Sequence, residues 1–379
     1  MPHMQRFLIL LAAALALLLA AVPAEAAKRK VPRGFYAVMW DRDATVAPDG
    51  EQEAQWSLMA RSGVESVRTV FDWARAQPEP GGFDFSYTDR IVGLAARHGI
   101  ELLPVVRTTP PWAARTPVVG APPKYVSDYT AYLRALIWRY GPAGSYWFEH
   151  PGLPRRPLRT WQIWNEPHLK VWWNTDRRPA NAWAREYAKL LKASKRAIDQ
   201  ADPGATVVLA ALADFAWKHI ARLNRFNINR YYDVAAINLF TGRPRLVLRG
   251  VRLFRAAMAR GGVTKRRVWL TEATWPAGKG RLSRPQASWQ RNWWTTDAGM
   301  AKRVRSIYSL VNKKRRELRL GRVYWYTWSS AYAADDLFDY TGLVRFSGGE
   351  YEQRPALKAF AASARRHQGC RKSAAGVCD

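Results

Sequence analysis

One pattern constrains this 379-residue chain more than any other: a short run rich in β-branched and aromatic residues, then a longer amphipathic stretch, repeated along its length. Parallel strands need a long crossover between neighbours, so this alternation builds strand–helix units around a parallel sheet. Gly34–Trp40 (GFYAVMW) reads as the first strand, with a helix over Glu51–Ser62. Ser66–Trp73 (SVRTVFDW) is the second strand, followed by a helix over Tyr87–His98 that Gly99 closes. Leu102–Arg107 is the third strand, leading into TTPPW and a helix over Tyr125–Tyr140. Thr160–Trp164 is the fourth, followed by Ala182–Gln200, where Tyr187, Leu190, Leu191, Ser194 and Ile198 share one helical face. The turn Ala201-Asp202-Pro203-Gly204 stops that helix. Strands five to eight fall at Thr206–Leu212, Val234–Phe240, Val268–Thr271 and Val323–Trp328. Their helices fall at Trp217–Arg225, Val247–Arg260, Thr295–Arg316 and Arg354–Arg365. Eight such units make an α/β fold of one domain, the (β/α)8 TIM barrel. A two-domain doubly wound sheet would need a glycine fingerprint and a linker, and the chain shows neither.

The ends carry other information. Arg6, the apolar run Phe7–Val22 and the small-x-small site Ala24-Glu25-Ala26 read as a cleaved export signal over residues 1–26. The run is short for a retained membrane span. A catalytic barrel is then expected over 27–366 and a tail over 367–379. In an oxidising compartment the tail's Cys370 and Cys378 are expected to pair. Two cysteines and six histidines, without an HExxH spacing, point to no metal and no cofactor.

The net charge of +30 invites a nucleic-acid reading, but the basic residues are spread along the chain. The densest run, Lys313-Lys314-Arg315-Arg316, sits on an expected helix and reads as a solvated face. No finger spacing, basic zipper or phosphate loop accompanies it. The charge reads instead as solubility and attraction to anionic surfaces such as a cell wall. A monomer is expected.

In a barrel, polar residues at the C-terminal strand ends face the active site. Collected that way, strand two gives Arg68 and Asp72, strand three leads to Arg107 and Trp112, and strand six gives Asn238. Strand four ends in Asn165-Glu166, strand seven in Glu272, and strand eight in Trp328-Ser329-Ser330. Two carboxylates facing one cavity are what glycosidic-bond hydrolysis needs, with retention when they stand about 5–5.5 Å apart. Trp73, Trp112, Trp172 and Trp173 are candidates to line sugar subsites, and His168 to sit at the rim. For any one of the 19 tryptophans, plain core packing is the competing reading.

These residues carry a resemblance. WNEP after strand four and TE after strand seven resemble the clan A glycoside hydrolases, with nearest likeness to family 39-like (β-xylosidase and iduronidase group) actinobacterial proteins and a second likeness to the cellulase-like family 5. SVRTVFDWARAQP, AREYAKLLKASKRAIDQADPGATVVLAAL and LFDYTGLVRFSGGEYEQRPALKAF extend it over most of the chain. The resemblance implies a retaining mechanism with Glu166 as acid/base and Glu272 as nucleophile. It implies that Asn165 binds the sugar 2-hydroxyl, that Arg68 holds Glu272 ionised, and that Trp328 is the aromatic floor. The sequence departs from the family after strand six, where Asn238 and Phe240 replace a histidine and a tyrosine. The phenol is lost, and Tyr326 is a candidate to replace it. The expected partner is an oligo- or polysaccharide, and a non-catalytic glycan- or wall-binding protein on the same barrel is the competing reading.

Overall fold

Eight short parallel strands close on themselves, each returned to the sheet by helix on its outer side. The computed structural model describes residues 28–41, 47–174, 179, 181–285, 287–333, 335–347 and 349–369. The expected export signal and the Cys370–Cys378 pair lie outside the described residues.

The chain runs β1 (Tyr36–Met39), α1 (Asp49–Arg61), β2 (Ser66–Asp72), α2 (Trp73–Ala76), α3 (Ser86–Arg97), β3 (Glu101–Arg107), α4 (Val126–Tyr140), α5 (Ser145–Glu149), β4 (Thr160–Ile163), α6 (Ala182–Ala201) and β5 (Thr206–Val208). It continues α7 (Ala216–Asn224), β6 (Val234–Asn238), α8 (Pro244–Arg260), β7 (Arg267–Ala273), α9 (Asp297–Leu318), β8 (Leu320–Tyr326), β9 (Ser329–Ser330), β10 (Val344–Ser347), β11 (Glu350–Gln353) and α10 (Pro355–Gln368). The strands neighbour one another in sequence order, and β8 pairs back onto β1 to close the (β/α)8 barrel. β9 to β11 form a separate three-stranded sheet, which the alternation of strands and helices did not signal.

Two layers of core explain the order. Outward-facing strand residues such as Val67, Phe71, Ile163, Ile237 and Trp325 pack beneath the helices in one continuous cluster. The inward set is smaller: Ala37, Leu103, Val208, Ala211, Val234, Ala236, Trp269 and Tyr324. Alanines on β1 and β6 leave room for the two large rings, which fills the barrel rather than leaving a pore. The floor is polar but paired. Arg322 lies 4.5 Å over the Trp269 ring, bonds Ser66 Oγ at 3.1 Å and is ion-paired to Glu101.

The helices hold this barrel by their apolar faces. On α6, Tyr187, Leu190, Leu191, Ser194 and Ile198 are all buried, as their spacing requires. The Tyr187 hydroxyl donates to the Ile163 carbonyl at 2.9 Å and accepts from the Ala210 N–H at 2.7 Å, stapling α6 to the barrel wall below the mouth. Gly99 follows α3 with φ +68°, a left-handed conformation that glycine takes at little cost. The basic run Lys313–Arg316 lies on α9. Among the described residues no helix is long and apolar enough to cross a membrane.

Candidate active site

The strand ends deliver their polar side chains through two breaks in regular β geometry. On β4, Gln162 faces the barrel interior, so simple alternation would send Asn165 outward. Trp164 instead takes φ +68° and Glu166 φ +45°, conformations a non-glycine residue adopts only where its surroundings hold it. The surroundings are explicit: the Trp164 N–H donates to the Val106 carbonyl at 3.0 Å and the Glu166 N–H to the Ala211 carbonyl at 3.0 Å. The kink turns Asn165 inward beside Gln162. On β7 a bulge does the same work. Ile237 pairs with Leu270, but Asn238 pairs with Glu272, so Thr271 is skipped. Thr271 and Glu272 can then both act on the barrel mouth.

Arg68 sits at the centre and is fully buried. Its Nη1 donates to Glu272 Oε1 at 2.7 Å and to Met39 Sδ at 2.8 Å. Its Nε donates to Gln162 Oε1 at 2.9 Å, and its Nη2 to Asn165 Oδ1 at 2.8 Å. The guanidinium fork therefore orients the β4 and β7 side chains together. Glu166 is held separately. Its Oε1 accepts from Asn238 Nδ2 at 2.7 Å and its Oε2 from the Trp172 indole N–H at 3.1 Å. A carboxylate only accepts, so the Asn238 amide nitrogen must face it. The Thr271 hydroxyl fixes that orientation by donating to Asn238 Oδ1 at 2.8 Å.

Both carboxyls are nearly buried, Glu166 at 7% and Glu272 at 6% exposure. Burial pushes both above the ordinary carboxylate range, Glu272 to about 7. Arg68 opposes the rise at both, and the negative charge of each neighbour adds to it: Glu166 and Asp41 act on Glu272, and Asp214 on Glu166. One proton shared between two carboxyls whose charges repel goes where it costs least. The ion pair with Arg68 favours charge on Glu272, which leaves the proton with Glu166.

The other sequence candidates separate. Trp328 is not a floor. It is fully buried and donates its indole N–H to Gln55 on α1 at 2.9 Å, behind the barrel wall. β8 ends two residues before it, at Tyr326, and Tyr326 is the half-buried ring at that strand end. Trp73 is also a correction. It is fully buried, stacked on Tyr132 at 6.2 Å and bonded to Gln77, so it cannot touch a substrate. Trp112 is half-buried, packed edge to face on Trp73 with ring centres 5.8 Å apart and its N–H given to the Gln77 carbonyl. Trp173 packs on Trp164 at 5.1 Å and bonds Glu186. His168 stacks on His219 at 4.1 Å, and burial pushes it down to about 3. Arg107 lies 4.4 Å over the Trp172 ring, which ties the end of β3 to the partner of Glu166. Gln162 and Thr271 were missed. A polar residue inside an otherwise apolar strand was the available signal for each. Among the described residues no three His, Cys, Asp or Glu side chains gather to hold a metal ion.

Comparison with known proteins gives matches to glycoside hydrolases. A family model for glycoside hydrolase family 42, beta-galactosidase, matches residues 45–123. Beta-galactosidase BgaB of Geobacillus sp. (strain Y412MC61) is 29% identical over 123 residues, which is 30% of this chain but only 17% of that protein's length. A monomeric beta-xylosidase from Caulobacter crescentus CB15 superposes with a TM-score of 0.61 at 18% identity, covering 89% of this chain and 69% of the other. A family 39 glycoside hydrolase from Bacteroides cellulosilyticus WH2 gives a TM-score of 0.61 at 16% identity, covering 89% and 66%. The likeness to clan A read from WNEP and TE is thus matched by a glycoside hydrolase model in sequence and by the barrels of glycoside hydrolases in fold.

Proposed function

We propose that this chain is a retaining O-glycosidase that hydrolyses an oligo- or polysaccharide by double displacement. The observation that carries the reading is the pair of buried carboxyls: Glu272 ion-paired to Arg68, and Glu166 on separate, neutral N–H donors. In the first step Glu272 attacks the anomeric carbon. The glycosidic oxygen leaves with the proton of Glu166, and a glycosyl ester forms on Glu272. Attack removes the negative charge of Glu272, which lowers the proton affinity of Glu166 as it must give its proton up. In the second step Glu166, now ionised, takes a proton from water as the water attacks the anomeric carbon. The ester breaks, and both carboxyls return to their starting states. Asn165, oriented by Arg68, supports the substrate beside Glu272.

The export signal expected over 1–26 supports action outside the cell, and the +30 charge supports contact with an anionic wall polymer. The names of the relatives suggest galactosides and xylosides as the first substrates to try. The alternative, a glycan-binding protein without catalysis, is favoured by Phe240, which removes the phenol expected near the nucleophile. A panel of nitrophenyl glycosides and an activity-based probe for glycosidase nucleophiles decide between them. Covalent labelling at Glu272, with hydrolysis abolished in Glu272→Ala, is the expected result. No labelling and no turnover leaves the binding reading; turnover that survives Glu272→Ala refutes the mechanism.

A further inference from the structure

The carboxyl pair does not end the site on the β7 side. Tyr326, at the end of β8, and Phe240, just past β6, flank β7 with their rings 6.0 Å apart. Phe338 closes the group, 5.2 Å from Phe240 and 5.9 Å from Tyr326. All three rings are half-buried, so each keeps a solvent-facing part. Behind them lies Trp293, fully buried, 4.9 Å from Phe338 and 5.5 Å from Phe240. Trp289, on the β7–α9 connection, lies on Trp293 at 5.2 Å with the ring planes 32° apart. It is 53% exposed.

A single exposed apolar side chain needs no explanation, but Trp289 is the exposed end of a packed series of rings, joined through buried Trp293 to three that are half-buried. The series starts at the ends of β6 and β8, on either side of the strand that carries Glu272, and ends in water at Trp289. A flat, uncharged ring offers a surface for the C–H face of a pyranose. Phe240 and Phe338 carry no hydroxyl, so this wall is largely apolar beside Tyr326.

We propose that this wall is an extended glycan subsite, which leads a sugar chain from the carboxyl pair across Phe338 to Trp289. The inference rests on the glycosidase reading and adds the path of the chain, which must be long enough to span the wall. Contacts away from the reacting bond then help position it.

The test is affinity electrophoresis of the Glu272→Gln protein in gels containing xylan, galactan, galactomannan or hydroxyethylcellulose. At least one polymer should retard it. Adding Trp289→Ala should weaken that retardation about tenfold, the size of one good stacking contact. Adding Trp289→Phe should preserve most of it. Trp138→Ala is the control, since Trp138 is 64% exposed on the outer helix α4. It should leave retardation unchanged. Thermal unfolding of each variant checks that the fold survives. No retardation by any polymer overturns the proposal, as does equal retardation with and without Trp289, or equal loss on replacing Trp138. Probe labelling of Glu272 in the unsubstituted protein reports separately on catalysis, so loss of the subsite and loss of the catalytic reading give different results.

Discussion

At the scale of single residues, Asn238 has the clearest consequence. Its amide donates to Glu166 and its carbonyl is pinned by Thr271. A donor aimed at a carboxylate stabilises the charged form, and Asn238 does lower the proton affinity of Glu166. Asn238→Ala should therefore raise that affinity by about one pH unit, the worth of one charge-assisted hydrogen bond. The basic limb of the kcat/KM–pH profile on a nitrophenyl glycoside should move up by that amount. A rate lowered equally at every pH would mean that Asn238 only supports the fold. Glu272 makes a second prediction, for stability. Burial raises both carboxyls of its pair with Glu166, Glu272 from 4.5 to about 7, and the pair shares its last proton. Between those values the folded pair holds one proton, on Glu166, that the unfolded chain has released. Stability is thus complete below about pH 4.5 and declines as pH rises through 7. In urea unfolding across that window, Glu272→Gln should flatten most of the decline; an unchanged slope would contradict this account. Both glutamates were legible from position alone, since each ends an apolar strand. What Asn238 touches was not, because the β7 bulge that brings Thr271 and Glu272 together leaves no mark in the pattern. Trp328 was misread for a related reason. Four of the five residues from Tyr324 to Trp328 are aromatic, so nothing in the run shows that β8 stops at Tyr326.

At the scale of elements, two loops at the mouth lean on each other through one glycine. Gly120, in the β3–α4 connection, has φ +77°, and a Cβ there would stand 2.3 Å from the Val171 carbonyl oxygen. The same glycine accepts the Asn174 N–H at 2.9 Å. The β4–α6 connection it braces carries Trp172, the donor to Glu166, and Trp164 holds the Trp172 carbonyl from below at 2.8 Å. Gly120→Ala combines a left-handed backbone with a backbone collision, so it should cost about 1–3 kcal/mol of stability. It should also lower kcat/KM by displacing Trp172, while a substitution at Gly152, where a Cβ meets nothing, should do neither. Equal behaviour of the two variants in urea melts and steady-state kinetics would refute the bracing role. The helices and strands themselves were largely readable, α6 to within a residue, because burial on one face imposes a period on the sequence. The β9–β11 sheet was not. β9 is two residues long, and β10 (VRFS) and β11 (EYEQ) are mostly polar and exposed, so no apolar run announces them.

At the scale of the whole molecule, the charge and the catalytic site occupy different electrostatic worlds. The chain has 60 Lys and Arg against 30 Asp and Glu. Many carboxylates are already matched to arginines, as in Arg139–Asp89, Arg159–Asp202 and Arg354–Asp297. The surplus of cations is left to face water. Attraction between such a surface and an anionic wall polymer acts through solvent and is screened within about 10 Å at 0.1 M salt. The Arg68–Glu272 pair is buried and is screened far less. The two should part as salt is raised. In co-sedimentation with purified anionic cell-wall polymer, the protein should be retained at about 0.01 M salt and released by about 1 M, as the screening length falls from ~30 Å to ~3 Å. Over the same range, kcat/KM on an uncharged nitrophenyl glycoside should change little. If turnover fell in step with release, the surface charge would be steering the substrate itself, and the substrate would have to be anionic. If retention survived high salt, the wall contact would rest on the aromatic face of the barrel mouth rather than on charge.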